Sequence, residues 1–379
     1  MIRFNQPGLV GAELDYLAKA VADGHTSSSG PFSERASSIL CDALSAPDVA
    51  LTTSCTDALE LTAMLLDLGP DDTVIVPSFT FTSTALAFAR QGARIRFADI
   101  EPKTLGIDPE HVAELIDESV RAVVVVHYAG VPCDLDGIQA VLAEHPEIEL
   151  IEDNAHGLFA THRDQALGTF GRFATLSFHE TKNFICGEGG ALIINDEADI
   201  SRAHTLIDKG TNRREFLLGN VDKYSWRDTG SSFGLSDLLA AYLVAQLEGA
   251  PDILSKRAEV TERYTRALAP VSEALGLQLP HVPEHGTSAH HMFYVLLPTS
   301  EARNDALAAM KARGVQATFH YVPLHSSEAG RRFSDSHHEC PVTDDVSGRL
   351  LRLPYYNDLT VADQDHVIEV FIDAAAATA

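Results

Sequence analysis

The sequence predicts an α/β fold: a mainly parallel sheet in a large domain, followed by a smaller α+β C-terminal domain. Three observations predict it. Seven short apolar runs recur through the first half of the chain, helix-like segments alternate with them, and the pattern changes after Ser236. Alternating strand and helix is the signature of a layered α/β domain.

The runs are VALTTS (49–54), TVIVPS (73–78), RIRFADI (94–100), AVVVVHY (122–128), IELIED (148–153), FATLSF (173–178) and GALIIN (190–195). Their near-continuous Val, Ile and Leu content predicts strands covered on both faces, as in a parallel sheet. DALELTAMLLDL and DLDGIQAVLAEH read as helices between them. From Ser236 a long helical stretch follows, with Pro251 expected to kink or break it. A β-like MFYVLLP, a helix over residues 303–313, TFHYVPL and a closing helix complete the chain. The boundary is placed near residue 250, giving a large domain over 1–250 and a small one over 251–379, with the N-terminal residues free to pack on the latter.

Composition limits the function. At 379 residues, 45% hydrophobic and 22% charged, the chain is an ordinary globular one with room for two cores. A formal charge of −26 argues against nucleic acid or an anionic membrane as partner. No apolar run has the length of a signal-peptide core or a bilayer span. Cys41, Cys55, Cys133, Cys186 and Cys340 are odd in number and scattered, which reads as reduced thiols in a cytoplasm. His337 and His338 beside Glu339 and Cys340 fit no standard zinc spacing, so a solvated loop is expected there and no metal. The only low-complexity stretch is the Ala-rich end, AAAATA.

Four features at strand ends carry chemistry. Asp153 closes IELIED, at the edge where parallel sheets bind ligands. A carboxylate there can hold a pyridine nitrogen in its protonated form; it can also be a plain helix cap. Lys182 follows FATLSF, and an amine that is to attack an aldehyde must be neutral, which burial near other cations favours. The alternative is a surface lysine. Ser177 offers a hydroxyl to a phosphate, and GEGG at 187–190 lets the backbone pass close to a ligand. GEGG is not a dinucleotide fingerprint, which needs another order and a following helix. TTSCTD at 52–57 opens a helix: Ser54 and Thr56 bring hydroxyls, and the helix start brings free N–H groups and the positive end of a dipole. Capping alone would also explain it. PSFTF at 77–81 puts Phe81 where it can stack on a ring or simply pack in the core.

These features, together with FNQPGLVGAELDY, PSFTFTSTA, VHYAGVPCDLDGI, IEDNAH, SFHETKN, KGTNRREFLLGNVDKYSWRDTGSS and FHYVPLH, run nearly end to end. In them the chain resembles the sugar aminotransferase family of the DegT/DnrJ/EryC1/StrS type, which are fold-type I enzymes of pyridoxal 5'-phosphate (PLP). Within the family it is similar to the dTDP-4-amino-4,6-dideoxygalactose transaminases. The resemblance implies that Lys182 is the Schiff-base lysine and Asp153 the partner of the pyridinium. It implies that His156, where many members have Gln, contacts the ring hydroxyl and that Phe81 stacks on the ring. Cys55, where many relatives have Gly, Thr56 and Ser177 match phosphate contacts. Much of the family carries Gly-x-Asn-x-Arg where this chain has GSSFG at 230–234, so Ser232 stands at the position of an Asn that reaches across a homodimer to the cofactor phosphate, and Gly234 at that of the Arg.

The segment 209–227 concentrates Lys209, Arg213, Arg214, Lys223 and Arg227 around the single tryptophan, Trp226. Arginine forks suit a nucleotide diphosphate, although a solvated, salt-bridged loop would look the same. Tyr321 and His325, in FHYVPLH, join Arg213, Lys223, Trp226 and Arg227 as expected sugar-nucleotide contacts. The implied reaction is ping-pong. L-Glutamate leaves its amino group on PLP and departs as 2-oxoglutarate. C4 of dTDP-4-dehydro-6-deoxy-D-glucose then takes the amine, the galacto product being favoured over the gluco. A different nucleotide keto-sugar, or a PLP-fold sensor or regulator without catalysis, are the alternatives. Lys182 argues against the related dehydratases, which carry His at that place.

Overall fold

The computed structural model describes residues 1–336 and 338–377. His337 of the His337–His338 pair and the final Thr378 and Ala379 lie outside the described residues.

All seven apolar runs enter one sheet. Its strands are β1 (Asp48–Thr52), β2 (Thr73–Pro77), β3 (Arg94–Ala98), β4 (Val120–Val126), β5 (Glu149–Asp153), β6 (Phe173–Ser177) and β7 (Gly190–Ile194), in the order β1-β7-β6-β5-β4-β2-β3. The pairs from β3 through β2, β4 and β5 to β6 are parallel. Only β7 runs against its neighbours, β6 and β1.

Alternation explains why both faces are covered. In β4, Val123 and Val125 join one core with Leu135 and Ile138 of the helix Leu135–Leu142. Ala122 and Val124 join another with Leu59 and Ala63 of the helix Cys55–Leu65 and Phe88 of the helix Ser83–Arg90. Near β1 the helices Pro31–Leu44 and Asp237–Glu248 cover Leu51, Leu176 and Ile193. Successive residues of a strand point to opposite faces, so a run apolar at every position needs helices on both sides.

The turn from β1 into the helix Cys55–Leu65 is held by Ser54, whose Oγ accepts the Asp57 N–H at 3.1 Å. Gly190 makes room for it: a Cβ there would sit 2.4 Å from the Cys55 nitrogen.

The helical stretch after Ser236 is two helices, Asp237–Glu248 and Ala250–Ser272, joined at Gly249. Pro251 lies in the first turn of the second, where a missing N–H costs no hydrogen bond. Beyond it a separate core gathers Tyr264, Leu268, Val295, Val315 and Phe371, with Ile2 packed on it. The two-stranded antiparallel pair β8 (Tyr294–Leu296) and β9 (Leu350–Arg352) belongs here. The N-terminal residues are tied to this part: Ile2 donates to the Gly314 carbonyl and Tyr355 to that of Phe4. Cys340 departs from the expected solvated loop. It is 1% exposed, packed with Phe97 and Leu324. Among the described residues no helix is long and apolar enough to cross a membrane.

One buried carboxylate organises the middle of the sheet. Glu152 of β5 has no exposed surface and accepts N–H groups from Gly168 (2.7 Å), Phe170 (2.7 Å) and Gly171 (2.9 Å), with His127 Nε2 2.9 Å away. Removing it strands three backbone donors and an imidazole. Glu152→Ala is expected to lower stability by about 3–5 kcal/mol. A urea unfolding midpoint indistinguishable from wild type would show that the 168–171 loop holds without it.

Candidate active site

The carboxyl ends of β1, β5 and β6 open onto a cavity of about 450 Å³. Ser54, Cys55 and Thr56 form one end of its wall, Asp153 and His156 the floor behind β5, and Ser177 with Lys182 the β6 side. Phe81, 58% exposed, stands over the opening, and Tyr321 reaches in from the C-terminal part. Nine residues far apart in sequence thus meet where the sequence places a ligand.

Lys182 is held by a turn in which its N–H donates to the His179 carbonyl at 2.9 Å. Burial pushes its amine down to about 8. The Asp153 carboxylate pulls it back up, and the guanidinium of Arg352 pushes it further down. Loss of water outweighs the attraction, so a good share of the amine is neutral near physiological pH. The Cys55 thiol beside it is driven up to about 12 by burial and by Asp153, so it stays protonated.

Asp153 is fixed at both oxygens. Oδ2 accepts the Thr84 hydroxyl at 2.7 Å and Oδ1 the Ala155 N–H at 3.2 Å; Thr84 Oγ1 lies 2.9 Å from Thr80 Oγ1. His156 is buried and stacks on His291 with ring centroids 4.2 Å apart and 17° between planes. Burial, with Lys182 nearby, holds its pKa well below the usual histidine range, so the ring is neutral. Its Nδ1 is buried without a partner. His291 is oriented in turn by Asn183, whose Oδ1 lies 2.9 Å from His291 Nδ1.

These groups fit PLP. An enclosed imidazole nitrogen without a partner suits a ring hydroxyl. A carboxylate already fixed on one side suits a pyridinium. The first N–H groups of the helix Cys55–Leu65, which have no intrahelical acceptor, suit a phosphate together with the Ser54, Thr56 and Ser177 hydroxyls.

Other expected residues stand apart from the cavity in the single chain. His325 has Nδ1 2.6 Å from Ser78 Oγ and Nε2 3.7 Å from Asp344. Ser232 is exposed and pairs across to Asp208. Arg213, Lys223 and Arg227 are exposed; Arg213 lies 3.8 Å from Asp208. Trp226 is 81% exposed, with Nε1 donating to the Asp228 carbonyl at 2.6 Å.

A family model, the DegT/DnrJ/EryC1/StrS aminotransferase family, matches residues 9–372. The chain belongs to this family. Aminotransferase TlmJ from Streptoalloteichus hindustanus is 30% identical over the whole of both chains, with a TM-score of 0.91. DesV from S. venezuelae, solved in complex with a ketimine intermediate, is 26% identical over 99% of this chain and 98% of its own, with a TM-score of 0.88. A DegT DnrJ EryC1 StrS aminotransferase from Brucella abortus is 26% identical over 95% and 94%, with a TM-score of 0.85. With the family come its fold-type I architecture, PLP as cofactor and aminotransfer to sugars as the reaction class.

Sequence reasoning missed three cavity groups of this aminotransferase, His291, His320 and Arg352, and Thr84, which holds Asp153 from behind. Thr84 stands one helical turn after Thr80, a spacing that could have tied it to the Asp153 strand end. His320 lies beside Tyr321 in the quoted FHYVPLH. His291 and Arg352 gave no local signal, because only the fold brings them in.

The depressed amine has a direct readout. In cofactor-free protein, acetylation of Lys182 followed across pH by peptide mapping should show a midpoint near 8, the ammonium below it being unreactive. A midpoint at the ordinary 10.5 would mean that burial does not discharge the amine.

Proposed function

We propose that this enzyme moves the amino group of L-glutamate to C4 of dTDP-4-dehydro-6-deoxy-D-glucose. The products are 2-oxoglutarate and a dTDP-4-amino-4,6-dideoxyhexose, galacto in preference to gluco. The observation that carries the reading is the Lys182 amine, lowered to about 8 by burial, beside a fixed Asp153 carboxylate in one cavity of a family sugar aminotransferase. The motifs KGTNRREFLLGNVDKYSWRDTGSS and FHYVPLH support the dTDP-sugar subgroup.

Bound PLP supplies an electron sink that stabilises charge at the carbon next to the amine. Asp153, held by Thr84, would keep a proton on the pyridine nitrogen. His156 would offer Nδ1 to the ring hydroxyl, and Phe81 would pack on the ring. Ser54, Cys55, Thr56 and Ser177, with the helix N–H groups, would hold the phosphate. Lys182 is the anchor of the cofactor and then the base and acid that carries a proton to and from the substrate carbon.

The sugar nucleotide is received by Tyr321, His325, Arg213, Lys223, Trp226 and Arg227, with residues 25–32 helping to set its pose. A homodimer is part of the proposal. Leu217 and Leu218, 66% and 64% exposed in the same segment as Trp226, suit an arm covered by a second copy, with Ser232 lent to that copy's cofactor phosphate. The division into 1–250 and 251–379 and a cytoplasmic location, consistent with five unpaired cysteines, complete it.

Product NMR decides regiochemistry and configuration together. With dTDP-4-dehydro-6-deoxyglucose and glutamate, the purified protein should give an amine at C4, with a small H3–H4 coupling for the galacto sugar. A large coupling would assign gluco, and amination at C3 of a 3-keto sugar would overturn the regiochemistry. The basic loop has its own readout. Arg213→Ala or Lys223→Ala should raise the sugar KM about tenfold, the size of a lost charged hydrogen bond, and leave the glutamate half-reaction unchanged. An unchanged sugar KM after each of the five basic residues is neutralised singly would make the loop a solvated surface.

A further inference from the structure

Asn183, the residue after Lys182, is buried and spends its whole amide inside the protein. Its Nδ2 donates to the Ala289 carbonyl at 2.6 Å, which turns Oδ1 toward His291 Nδ1, 2.9 Å away. An amide oxygen only accepts, so that nitrogen carries the His291 hydrogen. Burial, with His156, Lys182, Arg257 and Arg352 adding to it, holds the His291 pKa well below the usual histidine range. The ring is neutral, and its single N–H is committed to Asn183.

The backbone of His291 is clamped as well. Arg257 Nε and Nη2 donate to the carbonyls of His290 (2.8 Å) and His291 (2.6 Å), and the His291 N–H donates to the Ala129 carbonyl at 3.3 Å. His290 holds a φ of 50°, which residues other than glycine rarely adopt. Such a conformation persists only where the surroundings fix it.

What this fixed ring faces is His156, with 4.2 Å between centroids and 17° between planes. Among the described residues no side-chain hydrogen bond sets the plane of His156, and its Nδ1 is buried without a partner. Tyr128 stands edge-on to it at 6.1 Å. The charged and titratable groups around it are Lys182, His291, His320 and Arg352, the last two joined to each other at 2.7 Å between Nε2 and Nη1. None of them bonds to the ring, so packing alone aims it, and His291 supplies the broad face of that packing.

We propose that His291, oriented by Asn183, is the positioning residue for His156; this rests on His156 meeting the ring hydroxyl of PLP. The ring oxygen shares the proton of the Lys182 Schiff base. A donor aimed at that oxygen stabilises its negative charge and weakens its hold on the proton, so the Schiff base loses its proton at a lower pH. A hydrogen bond weakens steeply with misalignment, so a ring free to swing loses the effect. Because Asn183 follows Lys182 directly, one turn of chain places both the amine and the ring that tunes it.

The test is a pH titration of the visible absorbance of PLP bound to Lys182, which reads the Schiff-base proton without turnover. His156→Phe sets the full effect: the midpoint should rise by about one unit or more, the tenfold change expected for losing a hydrogen bond to a charged oxygen. His291→Ala should raise it nearly as far although His156 is intact, and Asn183→Ala should move it the same way. His291→Phe, which keeps a flat ring to stack on, should restore most of the wild-type value. Asn183→Ala decides the matter should the His291→Ala protein misfold. With His156→Phe shifted, a wild-type midpoint in folded His291→Ala or Asn183→Ala would overturn the positioning role alone. So would a midpoint in His291→Phe as displaced as in His291→Ala, because the stack would then not be what holds the ring. An unshifted His156→Phe would overturn the ring-hydroxyl contact and the positioning role together.

Discussion

Two adjacent carboxylates at the end of β5 carry the architecture of this site. Because successive side chains of a strand face opposite ways, Glu152 turns into the protein and Asp153 toward the cavity. Glu152 gathers His127 and the N–H groups of Gly168, Phe170 and Gly171, which closes the loop leading into β6. Asp153 is then fixed by Thr84 and Ala155. Strand β6 is parallel to β5, with Asp153 opposite Thr175, so the loop that Glu152 closes also sets where Ser177 and Lys182 emerge. Structure and chemistry share one strand end, and neither carboxylate can move without the other.

The electrostatics follow from that enclosure. The chain carries −26 overall, yet the cavity sets Lys182 and Arg352 near Asp153, with Glu188 also in its wall. Two cations in a dry space repel, and the amine yields because its proton can leave while a guanidinium keeps its own. Burial, with those cations adding to it, keeps His156, His291 and His320 neutral. Neutral imidazoles can accept as well as donate, which lets His320 take a bond from Arg352 and leaves His156 Nδ1 free for a ligand. An acidic protein thus keeps a guanidinium in this interior without lining it with charged histidines.

The sheet was legible because each strand is a short apolar run that burial on two sides demands. Its one antiparallel member was not, since GALIIN looks the same in either direction and only the tight turn at 187–190 reverses it. On the site, strand-end residues such as Asp153, Ser177 and Lys182 could be read because the carboxyl edge of a parallel sheet is a known place. His291 and Arg352 could not: they lie 109 and 170 residues after Lys182, and only the packing of the C-terminal part brings them to the cavity. The loop 209–227 was legible as a basic, aromatic stretch, but its side chains are solvent-facing in one chain, so composition could not say what they meet. Cys340 shows the reverse error, a polar neighbourhood hiding a residue that packs in the core.

Rigidity is unevenly divided, and the division suits a two-substrate enzyme. The wall offered to the cofactor is made of strand ends and a helix start, each locked by hydrogen bonds with buried partners. The wall proposed for the sugar is the segment 209–227, whose Trp226, Leu217 and Leu218 are mostly exposed. Proton transfer needs a fixed donor and acceptor, whereas a bulky substrate that alternates with a small one needs a wall able to open and close. On the proposed mechanism Lys182 would deliver its proton from one fixed place in the cavity. Product configuration is then set by which face of the sugar the loop presents, and a change of configuration within this architecture requires new loop residues while Lys182 and Asp153 stay as they are.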